Sequence, residues 1–223
     1  SAGAARVAVG ENVKQPPAAQ RRTRDLSDFY ARVIIVGLFS FMAVRIGANF
    51  LETGRPIGLL LLASEALVVV LTVFRRVPVI VDRSIRARVL TTLAMIGPPL
   101  VAPAARSSFV SDAITVSVCA VGLIVVIGGK LSLGRRFGLI PANRGIVSSG
   151  LYRLVRHPIY LGYFITHVAF LAANPSVWNF AFLVVSDLAQ VARAVCEEQT
   201  LAQDPAYRGY QALVRWRVIP GVF

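Results

Sequence analysis

The sequence predicts an all-α, polytopic integral membrane protein with about six transmembrane helices and both termini in the cytoplasm. Three observations carry that expectation. Hydrophobic residues make up 56% of the 223 and charged residues only 16%, with a mean hydropathy of +0.65; a soluble domain is nearer about 45–50% apolar and about 25% charged. The apolar residues gather in six runs, over 30–51, 57–74, 89–105, 112–133, 159–174 and 177–195, most of them close to the roughly 20 residues a helix needs to cross a bilayer. The basic residues lie between those runs, and on alternate connections, which is the pattern that orients membrane helices.

Residues 1–29 are polar, with Pro16-Pro17 and Arg21-Arg22-Thr23-Arg24, and read as a basic cytoplasmic arm, either mobile or a surface helix. The first two runs are joined by Glu52-Thr53-Gly54-Arg55-Pro56, too small a turn to hold a binding domain. The second connection carries Arg75, Arg76, Arg83, Arg86 and Arg88. The third run contains Gly97-Pro98-Pro99; it is a kinked span or a re-entrant segment, the latter leaving five spans, since proline at membrane depth survives where protein covers the freed backbone groups. The fourth run completes a transmembrane region of 30–133. It leads into a connection with Lys130, Arg135, Arg136, Arg144, Arg153 and Arg156, made loop-like by Gly138, Pro141 and Gly145. The fifth and sixth runs, joined by Asn174-Pro175-Ser176, form a helical hairpin over 159–195 within a C-terminal region of 134–223. The tail carries Arg193, Arg208, Arg215 and Arg217, whereas the opposite-side connections hold only Arg55 and Arg106. Six crossings put every basic-rich segment on one side, the cytoplasmic side by the positive-inside rule.

That placement also accounts for the net charge of +13, so no nucleic-acid partner is expected. Cys119 and Cys196 form no CxxC pair, and His157 and His167 are the only histidines. Neither a disulfide framework nor a metal site is indicated, and no nucleotide-loop, zinc-protease or nucleophile-elbow motif is present. The chain starts at Ser1 rather than Met, which reads as processing.

The stretch SSGLYRLVRHPIYLGYF, 148–164, places Arg-His-Pro at the mouth of a membrane helix. Pro158 suits the first helical position, and the residue before a proline is pushed out of helical geometry, so His157 falls at the cap. The helix start, with its partial positive charge and flanking Arg156 and His157, reads as an anion site. Gly162, one turn in, lets a ligand or a neighbouring helix approach. Glu197 and Glu198 follow the sixth run, and the hairpin brings them to Arg156 and His157 by topology.

GLYRLVRHPIYLG, followed by EEQTLAQDPAYRGYQ, resembles the isoprenylcysteine carboxyl methyltransferase and phospholipid N-methyltransferase family of integral membrane proteins. The resemblance rests on Gly150, Tyr152, Arg153, Arg156, His157, Pro158, Tyr160, Gly162, Glu197, Glu198, Leu201, Tyr207 and Tyr210, and covers about residues 130–223. Asp204-Pro205-Ala206 stands where the family often has Phe-Gly. The resemblance implies S-adenosylmethionine bound at the cytoplasmic face, with His157, Pro158, Leu161, Gly162 and the adjoining helix start at its amino-acid end. Arg and His at a helix N-terminus suit its carboxylate; Glu197 or Glu198 suits its ammonium, ribose hydroxyls or adenine amino group. Tyr152, Tyr160 and Tyr207 offer ring faces to adenine or the cation, and Ile146 and Val147 wall the adenine pocket. Arg156 is the first candidate to position the methyl acceptor, with Arg217 and Tyr210 as further candidates and Glu198 as the base if the acceptor is an amine.

The acceptor implied is a lipophilic small molecule or lipid-modified substrate, an isoprenylcysteine carboxylate or a lipid amine. The membrane is the inner membrane of a bacterium or the endoplasmic reticulum of a eukaryote. A membrane reductase using a nicotinamide cofactor, and a non-enzymatic transporter or scaffold, are the competing readings. Four ionisable residues lie inside the apolar runs, where each is a functional hypothesis. Depth matches Arg45 with Glu65 as a structural ion pair. It matches His167 with Asp187, as glue for the hairpin or as the polar floor of a substrate tunnel.

Overall fold

A computed structural model describes residues 56–74, 80–82, 84–101, 110–138, 142–143 and 145–223, together with scattered positions between 29 and 51 whose backbone is helical. The basic arm, Arg55, Arg106, Arg144 and the Arg45–Glu65 pairing lie outside the described residues and side chains. Six α-helices are fully delimited among the described residues: α1 (Pro56–Phe74), α2 (Ile85–Leu100), α3 (Asp112–Leu133), α4 (Pro158–Ala173), α5 (Val177–Leu201) and α6 (Pro205–Leu213). A two-residue antiparallel pairing, β1 (Ile80–Val81) with β2 (Ala142–Asn143), ties the α1–α2 connection to the α3–α4 connection.

Local chemistry sets the helix ends. The Ser84 hydroxyl accepts from the Ala87 N–H at 3.1 Å, Ser176 from the Asn179 N–H at 3.0 Å, and Asp204 from the Ala206 N–H at 2.9 Å; each satisfies a donor that the helix itself leaves open. α4 and α6 both start on proline. α3 stops at Gly134, whose φ of +50° suits glycine. α2 runs through Gly97-Pro98-Pro99 as helix and ends at Leu100, a length of about 24 Å at 1.5 Å per residue. α5 continues to Leu201, past the expected end of its apolar run. Glu197 and Glu198 therefore stand on the helix rather than beyond it, because the good helix formers Ala194, Glu197, Glu198, Gln199 and Leu201 carry it on until Asp204-Pro205 begins the next.

The closest packing is α3 on α4. A Cβ on Gly122 would lie 2.8 Å from the Gly162 carbonyl oxygen, and one on Gly162 would lie 2.6 Å from that of Gly122; Gly129 sits equally close to Ile159. Val68 and Leu71 of α1 share a core with Val126 and Ile159. α2 lies along α5, where the Ser186 hydroxyl donates to the Ala94 carbonyl at 2.8 Å and the Trp178 indole to that of Leu100 at 2.9 Å. The α4–α5 hairpin is bridged by side chains, among them His167 Nδ1 and Asp187 Oδ1 at 2.6 Å.

Asp112–Arg136 and Val177–Leu201 are long and apolar enough to cross a membrane, and α4 is apolar but shorter. Outward faces of these helices carry Ile114, Val121, Ile124, Val168, Val185 and Leu188 in exposed positions. Two basic residues depart from the expected surface placement. Lys130 is fully buried, its Nζ donating to the Ser64 carbonyl at 3.0 Å and hydroxyl at 2.8 Å, because it falls on the α1-facing side of α3. Arg193 is likewise buried, on α5.

Candidate active site

One end of the bundle collects the close of α3 and α5, the start of α4, α6 and the tail. Arg156 and His157 precede α4 outside helical geometry, and the tail runs beside them. The Arg156 N–H donates to the Trp216 carbonyl at 2.9 Å and the His157 N–H to that of Arg217 at 2.8 Å. The two glutamates of α5 meet this segment and divide the work. Successive helical residues point about 100° apart, so the two carboxylates face different ways.

Glu198 faces an ion cluster. Its Oε2 accepts from Arg156 Nη1 at 2.9 Å, Arg217 Nε at 2.9 Å and Gln211 Nε2 at 3.3 Å, and its Oε1 lies 3.2 Å from His157 Nε2. Four segments of chain are thereby joined on one buried carboxylate. Glu197 faces a cavity. Its Oε1 accepts from the Tyr160 hydroxyl at 2.8 Å and from Arg193 Nε at 3.1 Å, while Oε2 lies 3.7 Å from His157 Nδ1. His157 thus stands between both carboxylates, its ring stacked on Tyr160 with centroids 5.3 Å apart. The Arg193 guanidinium covers Tyr160 at 5.5 Å from the ring centroid.

The cavity that Glu197 faces holds about 690 Å³ of empty space, its open mouth included. Its walls are Ile146, Val147, Tyr152, Arg156, His157, Glu197, Tyr207 and Tyr210, with Leu133, Arg136, Gly138, Gly145 and Leu201. A second cavity of about 470 Å³ shares Leu133, Gly138, Tyr152, His157 and Glu197 with the first, and continues between the helices to Phe137, Ile159, Tyr160, Tyr163 and Arg193. The Tyr210 hydroxyl donates to the Tyr152 carbonyl at 2.7 Å. Burial raises the hydroxyls of Tyr152, Tyr207 and Tyr210 above the ordinary tyrosine range, so they stay protonated and donate rather than act as bases.

Most of the residues singled out in the sequence meet here. Ile146, Val147, Tyr152, Arg156, His157, Glu197, Tyr207 and Tyr210 line the first cavity, and Tyr160 the second. Glu198, Arg217, Pro158, Leu161 and Gly162 line neither. Glu198 and Arg217 are occupied with each other, and Pro158 and Gly162 pack on Gly129 and Gly122 of α3. The start of α4 is accordingly no open anion site. A Cβ on Gly129 would lie 3.3 Å from the Ile159 N–H nitrogen, so α3 covers the first turn.

Sequence reasoning did not pick out Arg136, Gly138, Tyr163 and Arg193 as site residues. Arg136 sits on the short 3-10 turn Gly134–Arg136, and Arg193 reads as one more charge of the tail by charge alone; its spacing from Glu197, one helical turn, is the signal that finds it.

No curated protein matches the chain. Residues 114–203 match the isoprenylcysteine carboxyl methyltransferase (ICMT) family, a span that holds α3, α4, α5, the Arg156–His157 segment and both glutamates but stops short of α6 and the tail. That match makes residues 114–203 similar to the isoprenylcysteine carboxyl methyltransferase family over the helices whose ends close around the cleft.

Proposed function

We propose that the protein is an S-adenosylmethionine-dependent methyltransferase acting on a lipophilic acceptor that carries a carboxylate, at the cytoplasmic face of a membrane crossed by about six helices. The observation that carries this reading is the double cavity: a polar cleft walled by an acid, bases and aromatic rings, running on into a lobe between membrane helices. The residues present fit the donor. Glu197 offers a carboxylate to its ammonium or ribose hydroxyls, Tyr152 and Tyr207 offer ring faces, and Ile146 and Val147 an apolar wall. Arg136 Nε is buried without a hydrogen-bond partner among the described residues, as befits a wall that receives an anionic group.

Bound there, the donor supplies a sulfonium methyl group open to direct displacement, which asks the protein for alignment rather than for a nucleophile of its own. The glutamates argue against an amine acceptor. An amine must lose a proton to a base, and Glu198 is engaged by four donors while Glu197 is held by Tyr160 and Arg193. A carboxylate acceptor needs no base. Phe137, Ile159, Tyr160 and Tyr163 in the second lobe supply apolar and aromatic walls for its tail, and surroundings poor in water would favour a reaction in which charge is neutralised.

The test is incubation of the purified protein with methyl-labelled S-adenosylmethionine, N-acetyl-S-farnesylcysteine and a lipid extract. Label released by mild alkali, as a methyl ester is, is the expected result. Label held in a base-stable N-methyl group would overturn the carboxylate assignment, and donor binding with no transfer to either acceptor would overturn the lipophilic acceptor.

A further inference from the structure

A carboxylate entering the cleft needs a cation able to turn toward it, and the residues of the Arg-His-Pro motif are already committed. Arg156 is anchored at both ends of its fork, Nη1 on Glu198 and Nη2 on the Arg215 carbonyl at 2.9 Å, and His157 spans the two glutamates. Arg136 is placed differently. It forms part of the cleft wall, its Nε is buried without a hydrogen-bond partner among the described residues, and no ion pair among them includes it. Gly145 lies beneath it with a φ of +98°, and a Cβ there would come within 3.1 Å of Arg136 Nε. Glycine at 145 both permits that backbone and leaves the guanidinium room at the wall.

A buried guanidinium N–H left unmatched is costly, and a planar fork is the geometry best suited to a carboxylate. From these observations we propose that Arg136 is a carboxylate-binding residue of the cleft. The inference rests on the methyl donor binding here. Its carboxylate partner is the amino-acid end of that donor or the carboxylate of the acceptor, which share one chemistry.

The experiment uses the full chain in detergent, as wild type, Arg136→Gln and Arg136→Lys. Each protein is titrated calorimetrically with S-adenosylhomocysteine and with its analogue lacking the amino-acid carboxylate, and the KM for N-acetyl-S-farnesylcysteine is measured. If the donor supplies the carboxylate, Arg136→Gln weakens S-adenosylhomocysteine by about 10- to 100-fold, binds the decarboxylated analogue as wild type does, and Arg136→Lys falls between. If the acceptor supplies it, both nucleoside affinities hold and the KM rises by a similar factor. Either result supports the assignment. Equal weakening of both nucleosides, which a merely structural arginine would give, overturns it, as does no change in any of the three. Wild-type protein that binds neither nucleoside sinks the methyl-donor reading itself, a failure visible before any variant is made.

Discussion

At the scale of residues, the account turns on two adjacent glutamates with different duties. Glu198 neutralises Arg156 and Arg217 and touches His157 and Gln211, so Glu198→Gln leaves two guanidinium groups without a counter-charge. Removing one member of a buried ion cluster costs about 3–5 kcal/mol; the Arg217 side chain is 35% exposed, and screening there trims the expected loss to about 2–3 kcal/mol. Glu197→Gln retains an oxygen for the Tyr160 hydroxyl and for Arg193, and is expected to cost only about 1 kcal/mol while weakening S-adenosylhomocysteine about tenfold. Thermal melts and calorimetry of the two variants check this contrast. Equal stability with equal loss of affinity would contradict it. The sequence made both acids visible as a pair, because hairpin topology alone brings them to Arg156 and His157. It did not separate them, since that depends on the rotation of α5 about its own axis, which tertiary packing sets. Arg136 was hidden for a related reason: a basic residue in a short turn looks the same whether it faces lipid headgroups or a cleft.

At the scale of elements, the decisive contact is the crossing of α3 and α4. Gly162 was legible as a position where something comes close, and the candidates were a ligand and a neighbouring helix. The structure puts the Gly122 carbonyl there, so the glycine fixes how deeply α4 seats and hence where His157 and Tyr160 stand. Gly162→Ala forces the helices apart and is expected to cost about 1–3 kcal/mol, with a matching loss of donor affinity as the stacked His157–Tyr160 pair moves. Gly209 in α6 is the control: a Cβ there meets nothing within 4 Å, and Gly209→Ala is expected to gain about 0.5–1 kcal/mol from helix propensity. Thermal melts of the two variants decide the point, and a neutral Gly162→Ala would show that the crossing is looser than described. Helix extents were readable where apolar runs end at strong punctuation: α3 at Gly134, α4 at Pro158, and the turn before α5 at Asn174-Pro175-Ser176. They were misread where polar residues of good helix propensity carry a helix beyond its apolar run, as in the last turns of α5.

At the scale of the whole molecule, the arrangement is polar in a literal sense. Described arginines crowd the end that holds the cleft, at the start of α2, the close of α3, the entry to α4, α6 and the tail, while the helix sides present apolar surface. A basic end and an apolar girth were both predictable from composition and charge order. The burial of Lys130 against Ser64 and of Arg193 against Tyr160 was not, because counting charges cannot tell an anchor from an internal partner. The His167–Asp187 pair was predictable from depth along the hairpin, and it bridges α4 and α5 below the second lobe. Together these features set a polar cleft at one end of an apolar body, with a second cavity sharing its wall. The central claim is that this cleft binds a zwitterionic methyl donor between Glu197 and the cations opposite. The most direct measurement is calorimetric titration of the wild-type protein and of His157→Ala with S-adenosylmethionine, and with a reduced nicotinamide dinucleotide for comparison. One donor site per chain in wild type, weakened at least about tenfold in His157→Ala and indifferent to the nicotinamide, is the predicted result; saturable binding of the nicotinamide alone, or donor affinity unchanged by loss of the histidine, would contradict it.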